Sequence, residues 1–199
     1  LDQLRALGHT VEIKSLPMLK SSLAIYYTLM PSEVSTNLSR FDGIRFWQQG
    51  NTHDYPSLDQ YYSTMRAKGF GEEAKRRILL GTYILSSANY ESYYLKALQA
   101  QKQLKSDFED LFNNYDAVLT PTSPEVARKI WEKSDDPLKS YLADLYTVPA
   151  NLAGLPAISV PMWTISHQEE ELPTGLQIIW PMRSDQTVLN MAQLIEKLS

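Results

Sequence analysis

One stretch of this chain, residues 148–161, constrains its fold more than any other part of the sequence. Its first residues are typical of a short helical turn, and Gly154 and Pro156 are typical of the turn that ends one. The residues that follow, 157–162, are mostly apolar and predict a buried strand, and a second strand is predicted at 175–180. A helix, a tight turn and two buried strands in this order indicate an α/β layer architecture.

The rest of the sequence alternates long helical patterns with a few short strand patterns. We expect helices at residues 18–39, 72–85, 87–113, 137–147 and 185–198, and strands at 11–16 and 117–121. Pro31 is expected to break the first of these helices or to start a new first turn. Ser57 and Gln60 resemble a capping box that opens a further short helix.

These elements predict an α/β fold with a mixed sheet flanked by helices. About four or five strands are too few to look self-contained, and some of them would leave open edges. Two interpretations remain: a small complete α/β domain, or half of a larger sheet whose other strands lie upstream. Leu1, Leu4 and Leu7 already recur at helical spacing before Gly8, and the chain does not begin with Met. We therefore expect it to be a piece of a longer protein.

The composition narrows the class of protein. Of 199 residues, 43% are hydrophobic and 21% are charged, as in ordinary soluble globular proteins. A net charge of −4 without a long run of Lys or Arg argues against a nucleic-acid-binding surface in this segment. The absence of cysteine excludes disulfides and thiolate metal sites. No apolar run approaches the roughly 18 residues of a membrane span, so no membrane partner is expected.

The sequence lacks the residues required for an ATP-binding loop, a histidine metal site or a Ser-His-Asp triad. The sequence has no phosphate loop of the G-x-x-x-x-G-K type, so we expect no ATP site, and no cofactor, in this chain. His9, His53 and His167 lie far apart in loop-like contexts, and each is expected to be a solvated surface residue. Their spacing predicts neither a metal site nor a Ser-His-Asp triad.

Two further segments carry a resemblance to a known family. Residues 37–43 are N-L-S-R-F-D-G, and residues 69–83 are G-F-G-E-E-A-K-R-R-I-L-L-G-T-Y. With 148–161 and 175–180 they resemble the amidase-signature family, and within it the A subunits of glutamine-dependent aspartyl/glutamyl-tRNA amidotransferases. The resemblance runs nearly end to end but covers only the C-terminal portion of one such domain. The N-terminal portion, which bears the nucleophile, has no counterpart in residues 1–199.

The resemblance implies a Lys-Ser-Ser catalytic arrangement that this chain lacks. In the family, a lysine acting through a bridging serine removes the proton of the nucleophilic serine, because a free hydroxyl is a weak nucleophile. The family places these residues in a Gly/Ser-rich segment. Lys20, Ser21 and Ser22 have the same letters but lie in a helical pattern without glycines, and we interpret them as a coincidence. We predict no catalytic residue here and expect the isolated chain to be inactive.

Three residues are predicted to bind the substrate. Free glutamine presents an α-carboxylate and an α-ammonium, which suit one guanidinium and one carboxylate. The resemblance places the family's substrate-holding arginine and aspartate at Arg77 and Asp144, and a tyrosine near the substrate amide at Tyr26. A shift of one residue would select Tyr27 instead.

Each of these assignments has a structural alternative. Arg77 could form an ion pair with Glu73 one turn earlier, Asp144 could be a solvated helix residue, and the tyrosines could pack a helix into the core. The sequence lends independent support to Arg77 alone. On a helix it continues a small, apolar face with Gly81 and Ile84, where a charge is costly unless it is used.

The motif at residues 37–43 is expected to be structural, and the chain departs from the family pattern at two other places. Asn37, Arg40 and Asp42 are expected to fix a loop by hydrogen bonds between side chains and backbone. After Pro161 the family has a shorter, Gly-containing turn, whereas this chain runs into an acidic loop with Glu169, Glu170 and Glu171. After Ile179 the family commonly has Gly, whereas this chain has Trp180. The departures put local packing or a partner contact in doubt.

The resemblance implies that this chain is part of the glutaminase subunit of an amidotransferase. The enzyme would be cytoplasmic, or would lie in an organellar matrix if the source is eukaryotic. Ammonia from glutamine would pass to a B subunit that uses ATP and Mg²⁺ to convert Glu-tRNA(Gln) or Asp-tRNA(Asn). A small C subunit would stabilise the heterotrimer, and tRNA would bind only through the complex. Two alternatives remain: another amide hydrolase of the amidase family, and a non-catalytic assembly module derived from an amidase.

Overall fold

The computed structural model describes residues 1–42, 46, 50–127, 130, 141–167 and 170–197. By its internal contacts the chain divides into two compact units. One unit comprises Leu1–Leu23 and Ala100–Ser199, and we call it the sheet unit. The other comprises Ala24–Gln99, and we call it the helical unit.

The described residues form seven α-helices and three strands. The helices are α1 (Asp2–Ala6), α2 (Ser22–Asn37), α3 (Leu58–Gly69), α4 (Glu72–Ile84), α5 (Lys96–Phe112), α6 (Val148–Ala153) and α7 (Asp185–Glu196). The strands are β1 (Val118–Pro121), β2 (Ala157–His167) and β3 (Glu170–Ile179). Short 3₁₀ turns cover Pro17–Ser21, Leu38–Arg40 and Thr52–Asp54, and a π-helical turn, Tyr90–Leu95, precedes α5. None of the described helices is long and apolar enough to cross a membrane.

Helix α3 begins where the capping box predicts. The Ser57 side chain accepts a hydrogen bond from the Gln60 N–H at 3.2 Å, which satisfies one of the free donors of the first turn. The helix buries Tyr61 and ends at Phe70, which is also buried. Gly71 then starts α4, whose first turn carries Glu72 and Glu73 at the positive end of the helix dipole.

Pro31 does not break α2, contrary to the sequence prediction. The helix continues through it from Ser22 to Asn37, although proline removes one backbone N–H. Pro31 lies where α2 crosses α4: a Cβ at Gly81 would be 2.5 Å from the Pro31 carbonyl carbon and 2.7 Å from Ser35 Oγ. Burial of Ile25 and Leu29 on α2 and close backbone packing at the crossing outweigh the lost hydrogen bond.

The sheet unit is organised around β3. The strand order is β1-β3-β2, and both pairings are antiparallel. Ile179 lies opposite both Val118 and Ala157, and Ile178 and Ile179 are buried at the centre. Helix α7 packs on the sheet, and its Ala192 and Ile195 join Val160 and Ile178 in one core cluster.

The stretch 148–161 folds as its sequence predicts. Helix α6 ends at Gly154, whose φ of 71° is the left-handed conformation that favours glycine. The Leu155 N–H donates back to the Ala150 carbonyl at 3.0 Å, and the Trp180 N–H donates to the Pro156 carbonyl at 3.1 Å. These bonds direct the chain from α6 into β2 beside β3.

The α/β class is confirmed, with four corrections to its elements. Residues 11–16 form neither helix nor strand and pair with no strand of the described ranges, and Ile13 is 88% exposed. The described residues contain three strands, fewer than expected. The strands extend into the predicted acidic loop: β2 continues to His167, and β3 begins at Glu170. Their pairing has an irregular register between Pro161 and Thr164. Of the helix predicted at 137–147, residues 141–142 are helical and residues 143–147 form a turn; residues 137–140 and Glu169 lie outside the described residues.

Candidate functional site

Arg77 lies on α4, with its guanidinium against the side chains of α2. Its Nε donates to Glu73 Oε1 at 2.8 Å, one helical turn earlier. Its Nη1 lies 3.3 Å from Met30 Sδ, and its guanidinium carbon lies 5.9 Å from the centre of the Tyr27 ring. The ion pair that the sequence offered as an alternative is therefore present.

The ion pair leaves part of the Arg77 guanidinium available. Within the described ranges, Nη2 donates to no protein atom, whereas a guanidinium carries five N–H donors. A carboxylate can bind a guanidinium through two parallel hydrogen bonds, so the remaining donors suit such a group. Structural pairing with Glu73 and binding of a ligand carboxylate are thus compatible.

The charge of Arg77 is maintained by its surroundings. Burial disfavours the charged form, but the hydrogen bond to Glu73 and the charge of that carboxylate outweigh it, so the pKa of Arg77 is raised above its ordinary value. Arg76 also pairs with Glu73, through the other carboxylate oxygen. The two arginines differ in exposure: the Arg77 side chain is 29% exposed and that of Arg76 is 51% exposed.

The apolar face predicted beside Arg77 is confirmed. Gly81 and Ile84 are buried, whereas Leu80 and Tyr83 on the other face of α4 are exposed. Met30, whose thioether contacts the guanidinium from α2, was not among the predicted site residues. Nothing in the spacing of the sequence singles it out, because the contact depends on how α2 and α4 cross.

Tyr26 and Tyr27 lie together on α2 and are both partly buried. Their rings meet edge to face, with centroids 5.2 Å apart and planes at 89°. Tyr27 carries the ring that faces the Arg77 guanidinium. Tyr26 is the residue predicted to approach the substrate amide, and it stays a prediction.

Asp144 belongs to the sheet unit, whereas Arg77, Tyr26 and Tyr27 belong to the helical unit. It lies in the turn before α6 and not on a helix, and it is partly buried. Its carbonyl accepts from the Thr147 and Val148 N–H groups at 3.2 and 3.1 Å. These bonds fix the backbone at Asp144 relative to α6.

A cleft of about 1020 Å³ opens in the sheet unit. Its lining includes Tyr146, two residues beyond Asp144, and the hydroxyls of Thr122 and Ser159, which are 2.6 Å apart. Gly175 lies beneath this hydroxyl pair, and a Cβ there would be 2.7 Å from Ser159 Oγ and 2.8 Å from Thr122 Oγ1. This cleft was not predictable from local sequence patterns, because its walls come from residues distant in sequence.

The serine and histidine residues considered from the sequence lie in surroundings that give them no catalytic role. Ser22 is buried, and its Oγ donates to the Leu19 carbonyl at 2.7 Å. The three histidines are exposed, as predicted. Among the described residues, no group of three His, Asp or Glu is placed to hold a metal ion.

The end of the 37–43 motif is held by a residue that the sequence analysis missed. Arg66 on α3 donates through Nη1 to the backbone carbonyls of Leu38, Ser39 and Phe41, at 3.2, 3.4 and 3.0 Å. Its guanidinium carbon also lies 5.1 Å from the centre of the Phe70 ring. Backbone carbonyls carry no side-chain signature, so the motif itself gave no indication of Arg66.

Comparison with known proteins agrees with the resemblance. Residues 1–189 match the family model described as Amidase. The glutamyl-tRNA(Gln) amidotransferase A subunit numbered 2 in Clostridium acetobutylicum is 44% identical over 197 residues, which are 99% of this chain and 40% of that protein. The corresponding A subunit of Streptococcus mutans is 47% identical over 193 residues, which are 97% of this chain and 38% of that protein.

Solved structures give the same picture. The glutamyl-tRNA(Gln) amidotransferase A subunit from Thermotoga maritima matches with a TM-score of 0.69 and 41% identity, over 100% of this chain and 37% of that one. A crystal structure of an amidase matches with a TM-score of 0.69 at 20% identity, over 99% of this chain and 39% of that one, which shows a shared fold. The chain thus spans about two fifths of the length of these relatives. It belongs to the amidase family.

Proposed function

We propose that residues 1–199 of this chain form the C-terminal portion of the glutaminase subunit of a tRNA-dependent amidotransferase. In that subunit they orient glutamine for hydrolysis. The observation that carries the proposal is the partly buried Arg77 guanidinium, which keeps donors available beside its ion pair with Glu73. Curated relatives that are 42–47% identical, and whose names make them A subunits of glutamyl-tRNA(Gln) amidotransferase, support it.

Three side chains divide the recognition of glutamine between them. Arg77 binds the α-carboxylate, because a guanidinium matches the planar fork of a carboxylate. Asp144 accepts hydrogen bonds from the α-ammonium. Tyr26 lies near the side-chain amide that is to be cleaved. A site built for two opposite charges rejects amides that lack them, since its charged groups would then be left unpaired.

The nucleophile of the reaction comes from the Lys-Ser-Ser arrangement of the N-terminal portion of the subunit. The serine oxygen attacks the amide carbon of glutamine, the C–N bond breaks, and the nitrogen takes up a proton and leaves as ammonia. Water then cleaves the acyl-serine ester, which releases glutamate and regenerates the serine. The residues of this chain hold the glutamine in place during both steps.

The ammonia passes to a B subunit, which uses ATP and Mg²⁺ to convert Glu-tRNA(Gln) or Asp-tRNA(Asn) to the amidated product. A small C subunit stabilises the heterotrimer, and tRNA is held by the complex, consistent with the net charge of −4 of this chain. The complex is a ligase of protein biosynthesis in the cytoplasm, or in an organellar matrix in a eukaryote.

Substrate analogues test this proposal in the full-length protein assembled with its partner subunits. Glutaramate lacks the α-ammonium of glutamine, and 4-aminobutanamide lacks its α-carboxylate. We expect ammonia release from either analogue to have a kcat/KM about tenfold to a hundredfold below that for glutamine, because a charged hydrogen-bonding partner is lost. Equal activity on all three compounds, or a preference for apolar amides, would instead indicate another amide hydrolase of the amidase family.

A further inference from the structure

Arg66 joins the end of one helix to the junction of two others. Its Nη1 contacts three carbonyls just beyond α2: those of Leu38 and Ser39, in the 3₁₀ turn that follows the helix, and that of Phe41, the residue after the turn. They lie next to the C-terminal end of α2, where the helix dipole is negative and a cation is favourable. The guanidinium also lies over the ring of Phe70, which follows α3 and precedes Gly71, the residue before α4. One side chain therefore bridges α2 to the start of α4.

The surroundings of Arg77 depend on how these same helices are placed. Helix α4 contributes Glu73 and Arg77, and α2 contributes Met30 and Tyr27. The two helices touch backbone to backbone at the crossing of Pro31 and Gly81, next to Met30 and one turn after Arg77. A single crossing point of this kind fixes the distance between two helices but leaves their angle to other contacts.

The Arg66 contacts supply a second fixed point. Leu38 lies seven residues beyond Pro31, about 10 Å farther along the helix at 1.5 Å per residue. A contact at that distance from the crossing resists rotation of α2 about Pro31. The same rotation would move Met30 and Tyr27 relative to the Arg77 guanidinium, and displacements near 1 Å can cost up to about a hundredfold in an enzymatic rate.

We infer that Arg66 is a positioning residue for the substrate site, which holds α2 at the angle that places Arg77 for the substrate carboxylate. The inference rests on the proposed function of Arg77. Arg66 itself contacts no substrate, and its effect passes through the packing of α2 on α4.

The test compares steady-state glutaminase kinetics of Arg66→Lys with the unmodified full-length protein in its complex. Lysine keeps the positive charge but replaces the planar fork with a single ammonium, which cannot hold three carbonyls and lie over Phe70 in the same way. We expect the KM for glutamine to rise about threefold to tenfold, with kcat changed less than twofold. Lys68→Ala, on the exposed side of the same helix, is the matched control and should leave both parameters unchanged.

A double variant separates positioning from general loosening. If Arg66 acts through Arg77, Arg66→Lys should not raise the KM further when it is added to Arg77→Ala. Phe70→Leu, which keeps an apolar side chain but removes the ring beneath the guanidinium, provides an independent variant should Arg66→Lys not fold. It should raise the KM in the same direction, by about twofold to threefold.

Two results would overturn the inference. The first is an unchanged KM for glutamine in Arg66→Lys, or in Phe70→Leu if only that variant folds. The second is an Arg66→Lys substitution that raises the KM by the same factor in the Arg77→Ala background as in the unmodified protein. Failure of the inference can be told apart from failure of the proposed function. If Arg77→Ala raises the KM and Arg66→Lys does not, only the positioning role is lost. If Arg77→Ala itself leaves the KM unchanged, the proposed function fails.

Discussion

Gly81 on α4 passes so close to Pro31 on α2 that a Cβ on the glycine would lie 2.5 Å from the carbonyl carbon of the proline. The neighbouring Ser35 hydroxyl would lie 2.7 Å from the same Cβ. The obstacle is largely backbone, which cannot move aside as the end of a flexible side chain does. Any larger residue at position 81 would therefore overpack this crossing, which lies one helical turn from Arg77.

Substitution of Gly81 by alanine should destabilise the protein. The added methyl group overpacks the crossing, which typically costs about 1–3 kcal/mol of unfolding free energy. The measurement is denaturant unfolding of the Gly81→Ala variant. Gly71→Ala is the matched control, because a Cβ at Gly71 meets nothing within 4 Å, and its change should stay below about 1 kcal/mol. Equal losses in the two variants would contradict the crossing described here.

Substitution of Glu73 by glutamine should affect substrate binding more than stability. The Arg77 Nε loses its charged partner, so the guanidinium is oriented less firmly, and we expect the KM for glutamine to rise about twofold to fivefold. The change in unfolding free energy should be within about 1 kcal/mol, because Glu73 is partly exposed.

The control for this prediction is Glu72→Gln. Glu72 pairs with Lys75 at 2.9 Å in the same helical turn. We expect its substitution to leave the KM unchanged. A similar KM for the two variants would mean that Glu73 does not orient Arg77.

Substitution of Asp144 by asparagine tests the other half of the proposed pair. Asparagine keeps the size of the side chain but removes the charge that we propose binds the α-ammonium, so the KM for glutamine should rise about tenfold. The KM for glutaramate, which has no ammonium, should change little. Asp110→Asn on α5 serves as a control. A proportional rise for glutamine and glutaramate would assign Asp144 to the fold and not to the ligand.

The isolated chain should release no ammonia from glutamine. The proposed function places the Lys-Ser-Ser arrangement in the N-terminal portion of the subunit, and the Ser22 hydroxyl of this chain is buried and bonded to the Leu19 carbonyl. A coupled glutamate dehydrogenase assay on purified residues 1–199 checks this. Glutaminase activity that persists through repurification would contradict it.

The parts of the fold that were predictable are those encoded by local chemistry. Gly154 and Pro156 mark the end of α6 because left-handed backbone and a missing N–H are properties of single residues. Ser57 marks the start of α3 for a similar reason. The strand predicted at residues 11–16 was wrong: their apolar pattern suits a strand, but none of the strands that the structure describes pairs with them. The helix break predicted at Pro31 was wrong, because packing of α2 against Gly81 outweighs the effect of the proline.

The candidate site divides in the same way. The apolar face beside Arg77 was predicted from helical spacing, and the same spacing offered the pair with Glu73 as the alternative to a substrate-binding role. Met30 and Arg66 were not, because their contacts join residues 47 apart and 25–28 apart in the sequence. Such contacts depend on how helices cross, which no local pattern specifies.

The most direct test of the central claim, that Arg77 binds the α-carboxylate of glutamine, is the KM of Arg77→Ala in the full-length protein for glutamine and for 4-aminobutanamide. Arg76→Ala is the control, since Arg76 shares Glu73 but is more exposed. We predict that Arg77→Ala raises the KM for glutamine about tenfold to a hundredfold, leaves that for the carboxylate-free amide unchanged, and that Arg76→Ala alters neither by more than about twofold. An unchanged KM for glutamine, or an equal rise for both substrates, would contradict the claim.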